Sequence, residues 1–159
     1  MLQVFCVNAL LNHLNVLCVT PTGSGKSAVM YVFALCVKKL NPRGLIVVGM
    51  PLSMLIAEQH KNSWGLPVLT LTMGAKIKGT VVEAQGEPKL AGQDSGDAAP
   101  QDLTLEEACT GKYGLLFGHP EAFAGEPGQK ILRKLSKEMM ISAVMVDEVH
   151  QGEPKHFKY

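Results

Sequence analysis

The chain is poor in several things that mark particular protein classes. Aromatic residues make up only 6% of its 159 residues, with a single tryptophan. No apolar run approaches the ~18 residues that a membrane-spanning helix needs, so no membrane segment is expected. The apolar N-terminus lacks a basic leader and a small-residue cleavage site, so it does not read as a signal peptide. There are four cysteines, Cys6, Cys18, Cys36 and Cys109, and none stands at CxxC spacing. That spacing argues against a metal or disulfide framework and for reduced thiols inside a cell. Charged residues are also sparse, at 18%.

What the chain does have is apolar material, 47% of its residues, which is enough for one domain with a real core. Its formal net charge of +1 is unevenly spread. Residues 83–107 hold seven acids and one base, a local net of −6, which leaves +7 for the remainder. A moderately basic body with an acidic insert is compatible with a polyanionic partner.

The most informative stretch is Val16 to Ser27, VLCVTPTGSGKS. An apolar, strand-like run ends in Pro, Thr and Gly, then meets a Lys and a Ser that open a helix-like run to Leu40. This is the pattern of a phosphate-binding loop, in which glycines let backbone N–H groups curl round an anion and the next helix aims its positive dipole end at it. Thr20 occupies the first motif position, where the full consensus has Gly and helicase-type loops are relaxed. Thr22, Gly23, Ser24, Gly25, Lys26 and Ser27 are therefore the expected phosphate ligands. Lys26 would reach the outer phosphates, and the Ser27 hydroxyl would ligate Mg²⁺.

Elsewhere the periodicity predicts a helix over 2–13, with Leu2, Phe5, Cys6, Ala9, Leu10 and His13 on its apolar face. It also predicts a strand at 16–19, a helix over 26–40, a buried strand at 44–50, a helix over 52–63 and a strand at 68–72. From 74 to 103 no period is visible, and a flexible acidic insert is expected. Thr104 and Glu107 read as a capping box for a short helix. A strand at 114–118, short helices from Pro120 and Gly128, and a buried strand at 141–146 complete the series. The alternation predicts an α/β, three-layer domain with a mostly parallel sheet.

The last strand ends in Asp147, Glu148, Val149 and His150. Open α/β sheets bind ligands at the carboxyl ends of their strands. An acid there, with a phosphate loop upstream, suits the Mg²⁺-side carboxylate of a nucleotide hydrolase. The adjacent Glu148 suits the attacking water, and His150 could couple the nucleotide to a neighbouring surface.

DEVH fits the DExH box of superfamily 2 helicases, and the order of segments resembles the first RecA-like lobe of the RecQ family of DNA helicases. Gln3, 23 residues before Lys26, stands where that family reads adenine. PTGSGKS resembles motif I, PLSMLIAEQ (51–59) motif Ia, LLFGHPEAF (115–123) a Pro-Glu contact segment and AVMVDEVH (143–150) motif II. Two departures stand out. His119 precedes the Pro-Glu pair where the family has a small residue, and QGEPKHFKY is shorter than the family's aromatic-rich coupling loop and lacks its Trp. The resemblance covers most of residues 1–150. It implies ATP and Mg²⁺ as cofactors and 3′ to 5′ translocation on DNA, with single strands or duplex junctions contacted by the 51–59 and 119–121 segments. It also implies a domain over 1–159 that is incomplete at its C-terminus, and a second RecA-like lobe as partner. Two other readings are open: a nucleotide-binding remnant without motor activity, and a small nucleotide kinase.

Overall fold

The computed structural model describes residues 2–19, 21, 23–51, 64–80 and 100–147. The helices are α1 (Leu2–Leu11), α2 (Lys26–Leu40), α3 (Leu105–Ala108), α4 (Pro120–Ala124) and α5 (Glu126–Lys137). The strands are β1 (Leu45–Gly49), β2 (Val68–Leu71), β3 (Ile77–Thr80), β4 (Gln101–Leu103), β5 (Leu115–Gly118) and β6 (Ile141–Val146). They form one sheet in the order β4-β3-β2-β5-β1-β6. β2, β5, β1 and β6 run parallel, and β3 and β4 extend the sheet antiparallel.

The parallel strands sort their side chains by the alternation of the pleat. Ile46 and Val48 of β1, Val68 of β2 and Leu115 and Phe117 of β5 turn to one face, against Val29, Met30, Phe33 and Val37 of α2 and Cys6 and Val7 of α1. Leu45, Val47, Leu69 and Leu116 turn to the other, against Ile131 and Leu135 of α5 and Ala122 of α4. All five residues of β1 are buried, as a strand covered on both faces should be. The three-layer α/β expectation therefore holds.

Helix ends follow local chemistry. Lys38 and Lys39 lie in the last turn of α2, where cations complement the dipole, and Asn41 caps it through a backbone bond to Val37. Thr104 and Glu107 form the expected capping box on α3. The Glu107 backbone N–H donates to the Thr104 hydroxyl oxygen, and in return the Glu107 carboxylate has its pKa held below the usual carboxylate range, first by the Thr104 backbone N–H and then by the Thr104 hydroxyl.

Several expectations need correction. Residues 74–103 are not structureless at their ends, because β3 and β4 lie within them. IKGT carries too little apolar character to read as a strand, yet Ile77 and Gly79 turn inward against the core while Lys78 faces away. Val16–Val19 pairs with no strand among the described residues. Leu17 and Val19 are 81% and 84% exposed, while Val16 and Cys18 pack on the α2-side core. Among the described residues β6 is the sheet edge rather than a buried strand, with Val144 68% exposed. On α1 the buried residues are Cys6 and Val7, whereas Leu2, Phe5 and His13 of the expected apolar face are exposed. The expected helix over 52–63 and the core of the insert, 81–99, lie outside the described residues.

Candidate nucleotide site

Four chain segments reach the same end of the sheet. Because β1, β5 and β6 are parallel, their carboxyl ends deliver Met50-Pro51, His119–Glu121 and Asp147 to one side. The Asp147 N–H donates to the Gly49 carbonyl at 3.0 Å, which extends the β1–β6 ladder by one rung and fixes the acid at the strand end. The fourth segment is the loop before α2. After α2 the chain turns within Asn41–Gly44 and enters β1, so α2 runs antiparallel to β1 along the sheet. Lys26 and Ser27, at the start of α2, therefore stand at the Asp147 end.

The loop conformation depends on its glycines. Gly23 and Gly25 have φ of +79° and +84°, left-handed values that L side chains seldom adopt. Gly25 is also the N-cap of α2, and no side chain caps this helix. The cap residue itself thus offers no side-chain acceptor to the first turn of this 15-residue helix. This is the donor arrangement a phosphate requires. Lys26 is a cation beside this turn, and Ser27 and Asp147 carry oxygens of the kind that Mg²⁺ takes alongside phosphate oxygens. Among the described residues no cluster of three or more His, Cys, Asp or Glu side chains could hold a metal ion.

Gln3 belongs to this site although it is distant in sequence. Its side-chain Nε2 donates to the Ser24 carbonyl at 2.8 Å. Lys26 Nζ donates to the Pro21 carbonyl at 3.0 Å, so the lysine is folded onto its own loop. The hollow lined by Gln3, Cys18, Ser24, Gly25, Lys26 and Val29 is too tight for a water molecule.

Of the residues expected at the site, the structure brings Gln3, Gly23, Ser24, Gly25, Lys26 and Ser27 together, and it places Asp147 at the neighbouring strand end. Thr22, Glu148 and His150 lie outside the described residues, as do 52–59 of the motif Ia segment. Sequence reasoning gave no sign of the Gln3–Ser24 bond or of Cys18 lining the hollow. The His119 imidazole faces the Glu121 carboxylate at ion-pairing range. The larger cavity, an apolar groove of about 420 Å³ between β6 and α5, lies on the opposite sheet face; its one ionisable lining residue is Arg133.

The sequence matches the family model of the DEAD/DEAH box helicases over residues 1–158. The chain belongs to the DEAD/DEAH box helicase family. The sheet is thus that of a RecA-like P-loop helicase lobe, and the domain is of a class that binds ATP with Mg²⁺, hydrolyses it and acts on nucleic acid. No protein among the curated ones matches the chain. No helix among the described residues is long and apolar enough to cross a membrane.

Proposed function

We propose that the chain is the ATP-binding lobe of a RecQ-like helicase that couples ATP hydrolysis to 3′ to 5′ unwinding of DNA. The observation that carries this reading is Gln3. A glutamine upstream of motif I is what a RecQ-like lobe uses to read adenine, and here its amide is held against the phosphate loop by the Ser24 carbonyl. In this reading Lys26 neutralises β- and γ-phosphate charge. Ser27 and Asp147 ligate Mg²⁺, which supplies charge neutralisation on the phosphates when bound. Glu148 orients the attacking water, and His150 links the site to the nucleic-acid surface. Segments 51–59 and 119–121 contact the sugar–phosphate backbone of single strands or junctions, an interaction dominated by charge and therefore salt-dependent. A second RecA-like lobe completes the catalytic cleft.

The test is nucleotide selectivity. The wild-type chain should prefer Mg·ATP to Mg·GTP, and Gln3→Ala should erase that preference while leaving triphosphate binding. Equal ATP and GTP affinities in the wild type would refute the Gln3 assignment. With the second lobe supplied, DNA should stimulate turnover; the lobe alone should show negligible stimulation, since charge on the transferred phosphoryl lacks an arginine finger. A second reading, a nucleotide-binding module without motor activity, is favoured by Lys26 being folded onto the Pro21 carbonyl of its own loop. DNA-stimulated turnover in the two-lobe assembly would exclude it.

A further inference from the structure

The two edges of the sheet differ in how they are protected. At one edge β4 is three residues long and carries Asp102, which pairs with Lys76 at 3.4 Å. Short strands and charges of this kind discourage a further strand from adding. At the other edge among the described residues, β6 is six residues, ISAVMV, with no charge and no proline. Successive residues of a strand turn their backbone N–H and C=O groups to opposite edges. Asp147 turns its N–H to Gly49 of β1, so by alternation Val146 and Val144 point theirs away from the sheet. The side chains of these valines are 47% and 68% exposed. They line one side of the groove of about 420 Å³, and Leu132, Arg133 and Ser136 of α5 line the other.

The charge of the groove is set by α5. Lys130 pairs with Glu126 and Lys134 with Glu138, each along the helix. Arg133 donates to the neutral Gln129 side chain at 3.3 Å. Neither Arg133 nor Lys137, one turn further on, has a carboxylate partner among the described residues, and both are exposed. An apolar groove beside an open strand edge is therefore rimmed by unbalanced positive charge.

We propose that β6 and this groove receive an extended segment of a partner protein, apolar at alternate positions and carrying an Asp or Glu. The segment adds a strand to the sheet by pairing with the outward backbone groups of Val144 and Val146. Its apolar side chains cover the two valines, as cross-strand neighbours on one face do. Its carboxylate meets the Arg133 guanidinium, a charge-assisted contact at the groove rim.

Charge decides between this occupant and a second copy of the chain. A second β6 would offer the same backbone and the same valines. Its α5 would also bring a second Arg133 and Lys137 to the rim, where like charges repel. An acidic segment instead neutralises the cations already there. The inference is independent of the nucleotide reading, since the groove and the hollow at the phosphate loop share no lining residue.

The experiment uses the full chain and three end-blocked, fluorescently labelled peptides. One alternates Thr and Val and ends in Glu. The second ends in Lys instead, and the third has the composition of the first with its valines bunched together. Anisotropy gives the affinities, and amide hydrogen exchange followed by NMR locates the contact. The Glu-ended peptide should bind at least about tenfold more tightly than the bunched one, and should slow exchange at Val144 and Val146. Arg133→Glu should weaken the Glu-ended peptide at least about tenfold and shift the preference to the Lys-ended one. Should that variant not fold, Arg133→Gln decides by the loss alone. Three results would overturn the proposal: no binding by the folded chain, affinity indifferent to Arg133, or protection that spares Val144 and Val146. A dimer in sedimentation, with these two amides already protected in the absence of peptide, would overturn it in favour of a second copy.

Discussion

Replacing Gly25 with Ala separates two features of the phosphate loop that the structure places at one residue. The first is its backbone. At φ of +84° an L side chain is strained, at a cost of about 1–2 kcal/mol. The second is its neighbour. A Cβ on Gly25 would stand 3.1 Å from Gln3 Nε2, closer than ordinary contact. The glutamine amide can swing away only by giving up its bond to the Ser24 carbonyl, worth about 1 kcal/mol. Gly25→Ala should therefore destabilise the chain by about 2–3 kcal/mol. Gly23 is the internal control. Its φ is +79°, but nothing lies within 4 Å of its added Cβ, so Gly23→Ala carries the backbone cost alone. At roughly 2–4 °C per kcal/mol for a chain of this size, the two variants should differ in Tm by a few degrees in scanning calorimetry. In a Gln3→Ala background the difference should vanish, because the contact that distinguishes them is gone. If Gly23→Ala and Gly25→Ala are equal, or their difference survives removal of Gln3, then Gln3 does not bear on the loop and the site as described is wrong.

Gly128, buried in the first turn of α5, should be the least tolerant glycine of the domain. An added Cβ would collide with the backbone carbonyl of Ala122 and lie 2.9 Å from Phe123 Cα, atoms that cannot rotate away. Gly128→Ala should cost about 3 kcal/mol, at the upper end of overpacking, as read from urea unfolding. Glu107→Gln should remove the carboxyl whose pKa the Thr104 backbone N–H and hydroxyl hold down. A carboxyl whose pKa is lower in the folded state stabilises above its unfolded pKa and loses that contribution as pH falls through the folded one, so the variant should flatten the acid limb of the stability curve; an unchanged limb would refute the capping box as its source. Trp64, held at φ of +52°, stacks on buried Tyr31 with centroids 5.6 Å apart, and Trp64→Ala should cost about 1 kcal/mol in the same urea assay.

The central parallel sheet was legible because its strands are continuous apolar runs with helices between them. LIVVG and LLFG are buried on both faces, and that is how they read. The phosphate loop was legible for a different reason: its conformation is demanded locally, by glycines at left-handed φ and a helix start. What escaped the sequence depends on contacts between distant segments. β3 draws its inward Ile77 and Gly79 from pairing with β2 on one side and β4 on the other, across the 81–99 gap. β6 reads as buried from ISAVMV, but a strand is buried only if something lies beyond it, and here it ends the sheet among the described residues. Val16–Val19 likewise has the apolar character of a strand and no strand partner among the described residues. On α1 the expected face rightly held Cys6 and Leu10 but included the exposed Phe5 and left out Val7, which packs into the α2-side core. The Gln3–Ser24 bond joins residues 21 apart and has no sequence signal beyond the presence of a glutamine.

The central claim is that the Gly23–Ser27 loop and Asp147 form an ATP site, and titration calorimetry of Mg·ATP into the wild-type chain and Lys26→Ala tests it most directly. Lys26 supplies charge-assisted hydrogen bonds of about 1.5–3 kcal/mol to the outer phosphates, so the account predicts measurable binding by the wild type and a loss of roughly 10- to 100-fold in the variant. Equal ATP affinity in the two proteins, with both folded, would contradict it.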